Sequence, residues 1–542
     1  MDANLRVRRS GRLRFQAMLV LLLACSAASP PSRADGIEQG VLLLRWGDAP
    51  PAAPGQAARV PRFTAWLETA PGVRRPLDVE QAKRTAGDLY ALANRRVAVS
   101  HAPRAARGAG RAIDAIVPVD RVMSRTIAVG EDGRPRMAAP VSGSTRWITL
   151  MCRFADVAEE QKPRAFFQSQ YGDAPGQLGH YWSQVSRHAI DLAGSSAHGW
   201  YTLPGPRSRY VGTQPDLSLL FADCTAAADA EVDFSGVIGI NLMFNGELDG
   251  RAWGGGACAV LDGLYGCLRA TWNPPWAFDN LAVMAHEMGH GYGLPHSDNS
   301  DGDADTYDNP WDLMSDSWRR ASSDPVYGLL PKHINAYQRE RLGWVPAANR
   351  RTLQADDIGT HEFLLDTVDA PGTTGVQLLV LALPAQPDPF ATVIYTVEAR
   401  RRTAPYESNL PGDAVIIHAL THYGTTQSLD SDVPPATYSS NEGSMLKPGE
   451  RFRLPQGQHW VEVVAATDTG FRVRVGPVAR VMSSPLPALV RTAGVQASAR
   501  RSSARPIDRA SRLETWPGAA GWACISTPAL PRPVLPCIGH TR

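Results

Sequence analysis

The stretch His286-Glu287-Met288-Gly289-His290-Gly291-Tyr292-Gly293-Leu294-Pro295-His296 sets three histidines and a glutamate at a spacing able to grip a metal ion. His286 and His290 stand four residues apart, so on a helix their imidazoles share one face. Glu287 then lies beside the metal, where a carboxylate can take a proton from a bound water. Gly293 suits the left-handed backbone that ends a helix, because it lacks a Cβ, and the chain can swing back to present His296. Three neutral imidazoles and one water would complete a tetrahedral zinc (Zn2+) site with an open position. The competing reading is a helix whose histidines only cap or pack. The complete pattern is much rarer by chance than its first five residues alone.

Downstream, Tyr307-Asp308-Asn309-Pro310-Trp311-Asp312-Leu313-Met314-Ser315 puts a methionine in a tight, polar, proline-containing segment. Together the two motifs resemble those of the metzincin metalloproteases. The surrounding text is most similar to the immune-inhibitor-A and gametolysin-like secreted peptidases. Phe166-Phe167, Tyr181-Trp182-Ser183-Gln184-Val185-Ser186, Gly199-Trp200-Tyr201-Thr202-Leu203-Pro204 and Leu342-Gly343-Trp344 carry that likeness. The resemblance implies an α+β catalytic domain, a twisted mixed sheet carrying the active-site helix, with Met314 beneath the metal as structural support alongside Gly293. It also implies a zinc endopeptidase acting on protein or peptide substrates, with His286, His290 and His296 as ligands and Glu287 as general base. The alternative is a catalytically silent extracellular binding protein with a structural zinc. Some members place a tyrosine ligand two residues past the methionine; here that residue is Asp316, which excludes it. Tyr307 is a candidate for stabilising the transition state instead.

Other elements must position these groups. The catalytic domain is expected over residues 146–346, with buried strands at Arg146–Phe154 and Gly236–Phe244. Arg251-Ala252-Trp253-Gly254-Gly255-Gly256-Ala257 is dense in glycine and leads into Cys258. It is read either as an edge that receives an extended peptide by strand addition or as a plain wide hairpin. Asn273-Pro274-Pro275 marks a turn before a helix predicted over Phe278–Gly293, whose Leu281, Met284 and Met288 form a core stripe. Asp298, Asp301, Asp303, Asp305, Asp308 and Asp312 crowd the stretch before Met314. Its alternating carboxylates could bind calcium (Ca2+), although no complete EF-hand spacing is present; the alternative is a solvated acidic loop. Pro331–Leu342 reads as a closing helix with His333 on its surface.

Residues 35–145 read as a small N-terminal domain, either a propeptide that keeps the site latent or a plain accessory domain. No cysteine lies between 35 and 145, which excludes latency through a thiolate on the metal. From 347 to 480, short apolar runs separated by turns predict a β-sandwich-like domain; its His418, His422 and His459 show no metal-like pairing. Residues 481–542 are linker-like with a small cysteine-containing terminus.

With 542 residues there is room for several domains, and 44% hydrophobic content is that of a globular protein. A net charge of +2 provides no single-sign field for nucleic acid. Residues 1–34, five arginines followed by a short apolar run and Ser32-Arg33-Ala34, read as a signal peptide and hence a secreted protein with no stable membrane span. Leu22-Leu23-Ala24-Cys25 is the competing lipoprotein signal, which would anchor the chain through Cys25. Cleavage after Ala34 leaves six cysteines, consistent with disulfides. Pairing of neighbours joins Cys152 with Cys224, Cys258 with Cys267 and Cys524 with Cys537. The oligomeric state is not legible.

Overall fold

The structure is a computed structural model that describes residues 36–478 apart from 53–59, 103–111, 120–139, 304, 355–358, 371, 385–391 and 433–440. The signal segment, Cys25 and the tail with Cys524 and Cys537 lie outside the described residues. The described chain is a mixed α/β protein with several sheets and few helices. Trp147–Arg153 and Gly239–Phe244 become neighbouring parallel strands toward one end of a ten-stranded sheet, with only Ser196–Thr202 beyond them. Their near-continuous apolar runs suit strands covered on both faces. Side chains alternate between two cores. Trp147 and Met151 face the layer of helix Leu281–Gly291, whereas Ile148, Leu150 and Cys152 face helix Leu217–Ala228. The Cys152–Cys224 disulfide ties the first of these strands to the second helix.

Two helix starts fall later than the sequence pattern placed them, for the same local reason. Pro275–Ala277 forms a 3₁₀ turn, so the histidine helix begins at Leu281, where the Asn280 side chain accepts from the Val283 N–H at 3.2 Å. Likewise Ala336–Arg341 starts after Asn335, which accepts from Gln338 N–H at 2.8 Å. His333 therefore precedes that helix, and it is buried at 1% exposure rather than on the surface. Its backbone N–H donates to Glu407.

The glycine-dense segment is the strand Ala252–Leu261, hairpinned to Leu264–Asn273 and stapled by Cys258–Cys267. On its outer side lies the leading strand Ile37–Asp48, antiparallel, with Arg45 opposite Gly255 and Asp48 opposite Ala252. Residues 37–118 contribute five of the sheet's ten strands. The N-terminal region therefore continues the central sheet across residue 145. Toward the C-terminus, a six-stranded and a four-stranded sheet share one apolar core that includes Leu379, Leu381, Val397, Val461 and Val473. Ser297–Asn299, the strand that follows His296, joins that six-stranded sheet beside Thr426–Ser428. No helix among the described residues is long and apolar enough to cross a membrane.

Candidate metal centre

Histidine position follows directly from helix geometry. His286 and His290 project from one face of Leu281–Gly291, and Gly293, at φ +87°, turns the chain so that His296 meets them. Beneath the helix, a Cβ on Gly289 would lie 2.5 Å from Met314 Sδ, so the missing side chain at 289 is what admits the fully buried Met314. The turn itself is braced by Asp312, whose carboxylate accepts from the Met314 N–H at 2.9 Å and the Ser297 hydroxyl at 2.8 Å.

The fourth member of the cluster comes from a place that no sequence motif marks. Asp48, the last residue of the leading strand, sits with its Oδ2 3.1 Å from His290 Nε2 and 3.5 Å from His286 Nε2. Its Oδ1 is 2.9 Å from His296 Nε2. The indole of Trp46 stacks on the His290 ring at 4.6 Å. Tyr307 donates its hydroxyl to Asp48 Oδ1.

Two rings have a fixed tautomer. His286 Nδ1 lies 2.6 Å from Leu313 O and His290 Nδ1 lies 2.7 Å from Leu294 O. A carbonyl only accepts, so each Nδ1 carries the proton and each Nε2 turns a lone pair toward the centre. His286 Nε2 has no hydrogen-bond partner. His290 Nε2 also approaches His296 Nε2 to 3.1 Å. Lone pairs gathered at this spacing repel one another unless a cation lies among them. Tetrahedral ligands on bonds of about 2.0–2.1 Å stand roughly 3.3 Å apart. The observed separations bracket that value, so the buried Asp/His3 set fits a metal ion.

Electrostatics without a cation expose the same tension. Burial pushes His290 down to about 3, against the pull of Asp48. Burial alone would raise the Asp48 carboxyl, but the charge of the neighbouring His296 ring, which Asp48 Oδ1 approaches to 2.9 Å, outweighs it and holds the group well below the usual range. Burial likewise opposes charge on His296, yet Asp48 outweighs it and raises that ring.

Glu287 stands next to the set, fully buried, with neither carboxylate oxygen hydrogen-bonded. Burial, then the nearby Asp48, pushes its carboxyl well up. It lines a cavity of about 310 Å³ together with His286, Tyr307, Asp316 and Trp318, and residues Asp48–Ala52 form one wall. On the far side, a Cβ on Gly254 would come within 2.4 Å of the Glu287 carbonyl oxygen and 2.8 Å of its Oε2. One of the glycines of this strand thus lets it press against the histidine helix.

The acidic stretch after His296 curls back on the same region. One carboxylate oxygen from each of Asp301, Asp303 and Asp308 lies within 4.8 Å of the others. Burial, reinforced by Asp298, Asp301 and Asp305, pushes Asp308 up to about 8.

All sequence-selected site residues, His286, Glu287, His290, Gly293, His296 and Met314, are brought together. Asp48 was missed, because an aspartate 238 residues before His286 has no spacing rule to connect it. Its one local signal is its position at the end of an apolar strand-like run. Neither the protein-family models nor the curated proteins contain a match to this chain.

Proposed function

We propose that the chain is a secreted zinc endopeptidase held latent by its own N-terminal region. The observation that carries this reading is the Asp48 carboxylate against all three Nε2 atoms, with an unpaired, buried Glu287 alongside. His286, His290, His296 and Asp48 would hold the ion. Zinc at such a site polarises a carbonyl and acidifies a water. Departure of Asp48 opens the fourth position. Glu287 then accepts the proton of the attacking water and passes it to the amine nitrogen as the C–N bond breaks, and no covalent enzyme intermediate is needed. Tyr307, freed from Asp48, is placed to donate to the oxygen that gains charge.

The leading strand supports the substrate assignment. It already adds to Ala252–Leu261 as an extended antiparallel segment, the manner in which a peptide substrate would bind once residues 37–118 have left. The metzincin-like organisation is supported by the ligand pattern, Met314 beneath the helix and the antiparallel strand Ala252–Leu261 beside it, which would become an edge once residues 37–118 have left. The sheet pair at 350–477 would buttress the segment that follows His296.

A second reading has one observation in its favour. Three histidines and a carboxylate make a closed site, and structural zinc sites are closed. Asp48→Ala separates the two. Latency predicts that purified Asp48→Ala cleaves a denatured protein substrate without prior processing and retains one zinc per chain. It also predicts that a chelator or an added Glu287→Ala abolishes cleavage, with an expected loss on the order of 10²–10⁴-fold for the latter. A structural zinc predicts lost metal and no cleavage in Asp48→Ala, and that outcome would sink the peptidase reading.

A further inference from the structure

We propose that the loop between His296 and Met314 is a calcium site, ligated by the carboxylates of Asp301, Asp303 and Asp308. This inference does not depend on the peptidase reading. An acidic loop alone is commonly just solvated, so the weight falls on Asp308. That residue is 1% exposed. Its Oδ1 accepts from the Asn299 N–H at 2.7 Å, while its buried Oδ2 has no hydrogen-bond partner. A carboxylate buried in that way is costly unless something positive completes it. Among the described residues, no lysine or arginine forms an ion pair with Asp298, Asp301, Asp303, Asp305 or Asp308.

The donor set decides which cation. Oxygen is the sole donor type, and two further buried oxygens on the same loop, Asp298 Oδ1 and Thr306 Oγ1, are also without partners. Calcium takes six to eight oxygens at about 2.3–2.6 Å, so oxygens on opposite sides lie roughly 5 Å apart. One carboxylate oxygen from each of the three lies within 4.8 Å of the others, so a single ion can reach all three. Magnesium dehydrates reluctantly and keeps several waters, which suits a set rich in protein oxygens less well, and zinc prefers nitrogen or sulfur. Asp301 is partly exposed and Asp303 exposed, leaving a side for water ligands.

The ion would bear on the metal centre through the two ends of the loop. One end runs through Ser297–Asn299 to His296, and the other presents Tyr307 to Asp48. Calcium therefore fixes the span that carries the third histidine.

The test uses the full chain stripped of divalent ions and reloaded with zinc alone, then titrated with calcium chloride by calorimetry. Asp303→Asn and Asp308→Asn are compared, with circular dichroism to check folding. Because Asp303 is exposed, its variant keeps the proposal testable if Asp308→Asn does not fold. The expected result is one saturable calcium per chain with Kd near or below about 10⁻³ M, accompanied by a rise in thermal midpoint. Binding should weaken by about tenfold or more in Asp303→Asn, and the thermal shift should vanish with it. No saturable binding, binding unchanged in Asp303→Asn, or magnesium binding as tightly as calcium would each overturn the assignment.

Discussion

A single carboxylate at position 48 completes the cluster with the three histidines, and it does so from the far end of a strand. The geometry around it is tight. Gly254 faces the backbone of Glu287 and the Cβ of His290, so a methyl group there has no room. Gly254→Ala is expected to destabilise the chain by about 1–3 kcal/mol through overpacking, read as a lower denaturant midpoint. Metal retention should drop in the same variant, because the displaced atoms belong to the helix that carries His286 and His290. An unchanged midpoint would mean that the strand moves away freely. At this scale the sequence was most informative where chemistry is local. Three histidines, Glu287, Gly293 and Met314 lie within 29 residues; helix periodicity and turn geometry bring the histidines together beside Glu287, while the place of Met314 was expected from the resemblance. Asp48 and the burial of His333 depend on contacts distant in sequence, which no local pattern encodes.

Strands and helices show a similar division. Apolar runs predicted the two buried parallel strands and the β-rich C-terminal segment well, since burial on one or both faces writes itself into composition. Helix starts were displaced because asparagine caps at 280 and 335 outrank the apolar stripe in deciding where a helix begins. What the pattern could not reveal is that Ile37–Asp48 pairs with Ala252–Leu261, because sheet neighbours are chosen in three dimensions. That docking is secured by Asp88, whose carboxylate takes two hydrogen bonds from Arg341 at 2.6 and 3.0 Å. Asp88→Ala leaves a buried guanidinium without its partner and should cost about 2–5 kcal/mol. The intact chain should then melt at lower temperature and lose its N-terminal region faster under limited proteolysis. Equal proteolysis rates would show that the ion pair does not hold that region in place.

Taken as a whole, the molecule has a polar seam where the histidine-bearing region meets the C-terminal sheets. His418 Nε2 lies 3.2 Å from Asn309 Nδ2, and since the amide donates, the ring is neutral. Burial, then Arg400, pushes His418 down to about 3, well below its ordinary 6.5. The unfolded chain therefore binds the proton more readily than the folded one. Stability from this group is present above about pH 6.5 and is lost as pH falls toward 3, an effect on the order of a few kcal/mol. Thermal midpoints measured across that window should decline for the native chain and decline less for His418→Gln, which has no proton to gain. Parallel slopes would assign the acid sensitivity to other groups, such as Glu407, which Arg400 and His333 hold low despite its burial.

The five strands built from residues 37–118 also act as a cover for an adhesive rim. Their removal would leave Ala252–Leu261 with a row of amides and carbonyls facing outward, beside a hairpin tip where Val260 and Leu264 are 55% and 75% exposed. A bare edge next to apolar side chains is the template on which separate molecules stack into aggregates. Under the latency proposed above, the segment that covers the metal centre would also serve as a built-in chaperone, and an activated molecule would have to keep that edge paired with passing peptide or with another copy of itself.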